Sequence, residues 1–328
     1  MSKIAFLFPG QGAQAIGMGK EAWERFDAVK KLFAEASDIL GYSIQDVCFE
    51  GPKEKLDSTV ISQPALFVTS MAAVEVLKET NPEAIASCAG AAGLSLGEYS
   101  ALAFSGVISF EDGLRMVQKR GEAMQAAADA CNSGMVSVLG LDTEKVEAVC
   151  DEARLEGEIL QTANFLCPGN IAVSGHQASC DNVAAVAEAA GAMKSIPLSV
   201  AGAFHTPIMQ SAVESLSSAV DATTFSDSNI PVYCNVDAKS RTAGGEFGPL
   251  LVKQICSPVM WHLTMNNMLA DEFDEFYEVG TGRVLRSLLK RIKRKLPTHG
   301  TLDAIPASGA PVPKPHVSQK TSLKEKRI

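Results

Sequence analysis

Short unbroken apolar runs alternate along the chain with stretches in which apolar residues recur every three or four positions. Lys3 to Phe8 is a run of the first kind, ended by Pro9-Gly10-Gln11-Gly12, and predicts a buried strand entering a tight glycine turn. Trp23, Phe26, Val29, Phe33 and Leu40 then share one face of a helix over residues 19 to 40. Pro64 suits the first turn of a second helix reaching about Lys78, because proline lacks only an N–H that is unpaired there. Ile85 to Leu94 is small and apolar, meets Ser95, and passes into the helix-prone Glu98 to Ala103, which predicts strand, sharp turn and helix in that order. A further helix covers residues 111 to 130.

From Met135 the texture changes. A strand to Leu139, a helix over 142 to 155, strands near 158 to 163 and 171 to 174, a helix over 178 to 190 and a strand over 194 to 200 give the order βαββαβ, a split unit of ferredoxin-like type. Ile230 to Val236, Phe276 to Val279 and the helices between them resume the alternation of a parallel sheet. The expected fold class is therefore α/β: a hydrolase-like parallel-sheet domain, residues 1–132 and 201–297, with an inserted ferredoxin-like subdomain, residues 133–200. From Pro297 the chain is rich in Pro, Gly, Ser and Ala without periodicity and ends in scattered lysines, so residues 298–328 are predicted to be a mostly disordered tail. No internal repeat is visible.

Composition narrows the function classes. Of 328 residues 46% are hydrophobic, enough for a sizeable core, and 38 acidic against 29 basic residues leave a net charge of −9. That balance argues against a nucleic-acid partner. No apolar run reaches the roughly eighteen to twenty residues of a membrane span, and Met1 to Gly12 lacks the features of a secretory signal, so neither a membrane nor export is expected. The eight cysteines are scattered, with no CxxC pair and no His at zinc-ligand distance, and read as reduced core thiols with no metal site.

The chemistry gathers around Gly93-x-Ser95-x-Gly97. Glycines on either side of a serine let the backbone turn sharply and lift the hydroxyl clear of a sheet, and here the string follows a predicted strand and opens a predicted helix. A serine hydroxyl needs a general base, usually an imidazole. Of five histidines, His299 and His316 fall in the tail, His176 in a polar turn and His262 in an amphipathic stretch. His205 remains, in a loop of small residues closed by Pro207, though a lone histidine is as often structural. An oxyanion hole needs two aimed donors; the backbone N–H of Leu96 supplies one, and Pro9-Gly10-Gln11-Gly12 offers a second unless it is a plain strand-to-helix turn.

Phe8-Pro9-Gly10-Gln11-Gly12-Ala13-Gln14, Gly93-Leu94-Ser95-Leu96-Gly97-Glu98-Tyr99, Gln118-Lys119-Arg120-Gly121-Glu122 and Gly202-Ala203-Phe204-His205 occur in one order. Together with Gln63-Pro64-Ala65-Leu66 and Gln254 to Val259, they make the chain resemble the malonyl-CoA:acyl carrier protein transacylases from about Lys3 to Leu296. The resemblance implies Ser95 as nucleophile, His205 as base and acid, and the backbone carbonyl of Gln254 as the group orienting the imidazole. It implies Gln11 and Leu96 as oxyanion donors and Arg120 as the partner of the malonyl carboxylate. Gln63 and Phe204 would complete the substrate site, Phe204 leaving little room for a methyl branch. The implied substrates are malonyl-CoA and phosphopantetheinylated acyl carrier protein, a transient partner, with no bound cofactor and a monomeric enzyme of fatty acid biosynthesis.

Most members carry histidine just before the serine, where this chain has Leu94. Leu94 and the stretch Ala163 to Asn170 resemble plastid-type enzymes, which implies the plastid stroma with the transit peptide absent from this chain; a bacterial-type cytoplasmic enzyme is the alternative. A serine hydrolase, which would place a buried carboxylate behind His205, and a non-catalytic carrier-binding scaffold are the competing functions. Seven basic residues between Arg283 and Lys295, with Val284-Leu285 and Leu288-Leu289 spaced as an inner helix face, are an expected docking surface for an acidic carrier protein.

Overall fold

The computed structural model describes residues 2–302. Its first strand, β1 (Ile4–Phe8), is buried along its whole length, as an unbroken apolar run in a parallel sheet covered on both faces should be. Ile4, Phe6 and Phe8 enter one apolar cluster and Ala5 and Leu7 another, the alternation of a strand sandwiched between two layers. The other strands are β2 (Cys88–Gly93), β3 (Ser133–Leu139), β4 (Leu160–Cys167), β5 (Asn170–His176), β6 (Lys194–Pro197), β7 (Val232–Tyr233), β8 (Ser240–Arg241), β9 (Glu275–Glu278) and β10 (Thr298–Gly300). A six-stranded sheet has the order β10-β9-β1-β2-β7-β8, parallel except for β8. A four-stranded antiparallel sheet has the order β4-β5-β3-β6, with the helices Thr143–Ala153 and Gln177–Ala189 completing the βαββαβ order.

The helix Thr59–Thr80 is central to the larger layer, packing against the helices Asp27–Leu40 and Phe110–Asp129. By length and composition it could cross a membrane, contrary to the sequence expectation, but 83% of its most apolar window is buried inside the protein. A helix apolar all round is what a core position demands. Pro64 lies inside this helix rather than in its first turn, because the helix starts five residues earlier, after Ser58. The helix predicted over 19 to 40 is broken at Phe26, whose backbone is extended, into Lys20–Arg25 and Asp27–Leu40; the Phe26 ring stays buried, so the apolar spacing runs through the break.

Two further expectations change. The strand predicted over Ile230 to Val236 shrinks to Val232–Tyr233. Thr298–Gly300, assigned above to a disordered tail, is an edge strand parallel to β9; three residues were too few to show a strand period. Thr301 is buried as well, its Oγ1 accepting from Gly280 N–H at 3.0 Å, and residues 303–328 of that tail lie outside the described residues. All eight cysteines are free thiols.

Phe8 and Gly93 are register partners at the carboxyl ends of β1 and β2, so Pro9 to Gly12 and Leu94 to Leu96 leave the sheet side by side. Crevices at such strand ends are where open parallel sheets place ligands. The small sheet is joined to this region through β4, where Phe165 N–H donates to the Val259 carbonyl (3.0 Å) and Val259 N–H to that of Ala163 (2.8 Å).

Candidate active site

The turn after β2 is built by close backbone approach. A Cβ on Gly93 would lie 1.9 Å from the Gly97 carbonyl carbon and one on Gly97 2.1 Å from the Phe8 carbonyl oxygen, so both positions exclude any side chain. Between them Ser95 has φ 51°, a left-handed conformation that non-glycine residues rarely adopt. Side chains from elsewhere hold it there. Ser95 N–H donates to Asn235 Oδ1 (2.6 Å), Asn235 Nδ2 donates to the Gly93 carbonyl (2.7 Å), and Gln254 Nε2 donates to the Ser95 carbonyl (3.1 Å).

His205, also left-handed at φ 63°, places Nε2 2.9 Å from Ser95 Oγ. Its Nδ1 lies 2.9 Å from the Gln254 carbonyl. A carbonyl can only accept, so Nδ1 carries the proton and Nε2 presents its lone pair to the serine hydroxyl. No carboxylate takes that position, which removes the arrangement a serine hydrolase with an acidic third member requires. Burial, and next the Arg120 cation, push His205 down from the usual imidazole value to about 4, against the raising effect of the Gln254 and Ser257 main chain. The ring is therefore neutral and ready to accept a proton at pH 7.

Arg120 reaches the same hydroxyl. Its Nη2 donates to Ser95 Oγ (3.0 Å) and to Gln254 Oε1 (2.9 Å), and Nη1 donates to Gln63 Oε1 (2.8 Å). The side chain is 1% exposed, and its guanidinium carbon sits 5.5 Å from the centre of the Tyr99 ring. Burial lowers its pKa, yet an arginine remains a cation in a protein. Arg120 is thus no solvated helix arginine paired with the nearby Glu122, which pairs with Lys119 at 2.9 Å.

Gln63 is fully buried and touches Arg120 rather than open space, so it would meet a substrate only through that arginine. Gln11 approaches Thr59 Oγ1 at 3.5 Å through its side chain, while its backbone N–H and that of Leu96 donate to no other group among the described residues. Both are available to an oxyanion. Phe204 is buried in the main apolar cluster beside the loop that carries His205.

Among the other histidines, His176 Nδ1 accepts from Ile159 N–H (2.9 Å), His299 pairs with Glu275 (3.0 Å) and His262 lies in the first turn of the helix Trp261–Ala270; His316 lies outside the described residues. Two residues escaped the sequence reading, Asn235 and Glu98. Each lies in the framework behind Ser95, and Asn235 is 140 positions away in the chain. Only the placement of Glu98 next to Gly97 could have drawn attention to it.

Buried donors, a neutral imidazole and a fixed cation around one hydroxyl suit transfer of an anionic acyl group through a serine ester. A family profile described as "Acyl transferase domain" matches residues 5–306. The chain is similar to the malonyl CoA-acyl carrier protein transacylase of Bacillus subtilis, 41% identical over 305 residues, or 92% of this chain and 94% of the relative. It is similar also to that of Escherichia coli K12, 38% identical over 292 residues, or 89% and 93%. Among solved structures, the transacylase of Coxiella burnetii superposes with a TM-score of 0.88 at 31% identity, covering 92% of this chain and 94% of that one. A malonyl-transacylase in complex with its type II PKS acyl-carrier protein gives 0.87 at 35%, covering 92% and 96%.

Proposed function

The chain belongs to the acyl transferase domain family and, within it, to the malonyl CoA-acyl carrier protein transacylases, and we propose that Ser95 carries the malonyl group between its two thiol owners. The enzyme moves malonyl from coenzyme A to the phosphopantetheine thiol of acyl carrier protein. In the first half-reaction Ser95 Oγ attacks the thioester carbonyl as His205 Nε2 takes its proton. The oxyanion is held by the N–H groups of Gln11 and Leu96, and collapse expels the CoA thiol with the proton from His205. In the second, His205 deprotonates the carrier thiol, which attacks the serine ester and restores the free hydroxyl. The product supplies fatty acid biosynthesis.

The observation that carries this reading is the buried guanidinium 3.0 Å from the nucleophile. Malonyl differs from acetyl by one carboxylate, and a guanidinium can bind a carboxylate through two parallel hydrogen bonds. Replacing Arg120 by Ala should cost malonyl transfer about 1.5 to 3 kcal/mol more than it costs acetyl transfer. Rates of Ser95 acylation from both thioesters check this; an unchanged malonyl-to-acetyl ratio removes Arg120 from substrate recognition.

The carrier is proposed to dock at the basic helix Val284–Ile292 and the residues after it, supported by the exposure of Arg283, Lys290, Arg291, Lys293, Arg294 and Lys295. The enzyme is proposed to act as a monomer without a membrane. Leu94 and Ala163 to Asn170 support the plastid stroma as its compartment, which fractionation of the source cells would test.

A further inference from the structure

Gln254 touches all three working residues at once. Its main-chain carbonyl faces His205 Nδ1, its Nε2 donates to the Ser95 carbonyl, and its Oε1 accepts from Arg120 Nη2. Only one orientation of the amide allows this: half a turn about its last bond would set an NH2 against the guanidinium and an oxygen against acceptors. Behind the amide lies Glu98, 1% exposed, whose Oε2 accepts from Gln254 Nε2 at 2.7 Å and from Asn235 N–H at 3.1 Å.

We propose that Glu98 is a positioning residue for malonyl selectivity: by accepting from Gln254 it turns the amide oxygen toward Arg120, which aims the guanidinium at the carboxylate of the acyl group. The inference rests on the malonyl reading of Arg120. A buried carboxyl group is costly unless its oxygens are used, and here one oxygen takes two donors from the two residues that frame the serine turn. Burial raises the Glu98 carboxyl to about 7, outweighing those hydrogen bonds and the Arg120 charge. A proton gained near neutrality can sit on the other oxygen, which leaves the accepting role of Oε2 intact. The contacts of Asn235, Gln254 Nε2 and Arg120 Nη2 with Ser95 affect the serine for any acyl group, whereas the aim of the guanidinium adds an effect only for an acyl group with a carboxylate. The ratio of malonyl to acetyl acylation therefore separates the two effects.

The experiment measures Ser95 acylation from malonyl-CoA and from acetyl-CoA on single preparations of wild type, Glu98→Met, Glu98→Gln and Gln254→Met, so that the ratio is independent of the folded fraction. Glu98→Met, of similar length but without an acceptor, should lower the malonyl-to-acetyl ratio by roughly tenfold. Glu98→Gln can turn its one oxygen toward both donors and should keep most of the ratio. Gln254→Met, which retains the main-chain carbonyl for His205, should lower it in the same sense and reports on the relay if Glu98→Met does not fold. Equal loss with both thioesters in Glu98→Met, or an unchanged ratio in Gln254→Met, overturns the inference while leaving the transferase reading in place. A wild type that does not prefer malonyl overturns both, since the guanidinium then has no acyl carboxylate to meet.

Discussion

Ser95 and His205 are held in left-handed backbone conformations, at φ 51° and 63°, and face each other across 2.9 Å. Strain of this kind persists only where the surroundings over-determine it, and here Asn235 and Gln254 supply the restraint through the Ser95 N–H and carbonyl. Replacing His205 by Ala should slow both half-reactions by roughly a hundredfold or more; pre-steady-state acylation and deacylation would show it, and normal rates would move the base elsewhere. Because burial and Arg120 lower the imidazole to about 4, protonation should inactivate the free enzyme well below the ordinary histidine value of about 6.5. A profile of acylation against pH at limiting malonyl-CoA tests this, and an acid limb at 6.5 would contradict the buried, neutral ring. Ser95 is legible in sequence because its glycines are local. Arg120 became legible only through the resemblance, and the framework roles of Asn235 and Glu98 not at all, because their contacts join chain segments 137 to 156 positions apart.

At the scale of elements, periodicity located strands and helices well but not their ends. Phe26 keeps its buried place across a helix break, so hydrophobic spacing is blind to the break, and Pro64 sits mid-helix because tertiary packing supports a helix that local rules would start later. The Gly97–Phe104 helix docks on β1 through a glycine whose Cβ would meet the Phe8 and Pro9 carbonyl oxygens at 2.1 and 2.9 Å. Gly97→Ala should destabilise the protein by about 1 to 3 kcal/mol and displace the loop that presents Gln11. Thermal melting beside acylation rates would record both, and an unchanged melt would mean the loop yields freely. The basic helix buries Leu285, Leu288 and Leu289 while Val284 faces outward, contrary to the spacing argument, and Arg286 turns to Glu278 at 3.2 Å. Arg291 reaches the carbonyls of Pro168 and Gly169 at 3.4 and 3.5 Å, so part of the run serves the fold. Reversing Lys290, Arg294 and Lys295 to Glu should slow malonyl transfer to the carrier, as should added salt, and leave acylation by malonyl-CoA unchanged. Equal loss in both half-reactions would show that the stretch holds CoA or the fold.

For the whole molecule, the βαββαβ order and the α/β class were readable from the change of period near Met135, whereas the strand orders depend on long-range pairing that no local pattern encodes. The placement of the site follows from that pairing. Phe8 beside Gly93 sets the two loops together, and β4 ties the small sheet to Val259, five residues beyond Gln254, while Gln161 Nε2 reaches the His205 carbonyl at 3.4 Å. Intact mass of both proteins tests directly whether a malonyl group is carried on Ser95 between two thiols. Wild type incubated with malonyl-CoA should gain one malonyl group and lose it on addition of phosphopantetheinylated carrier protein, which gains the same mass, while folded Ser95→Ala should gain none. A malonyl adduct that persists on the alanine variant, or transfer to the carrier without a wild-type adduct, would show that Ser95 does not carry the group.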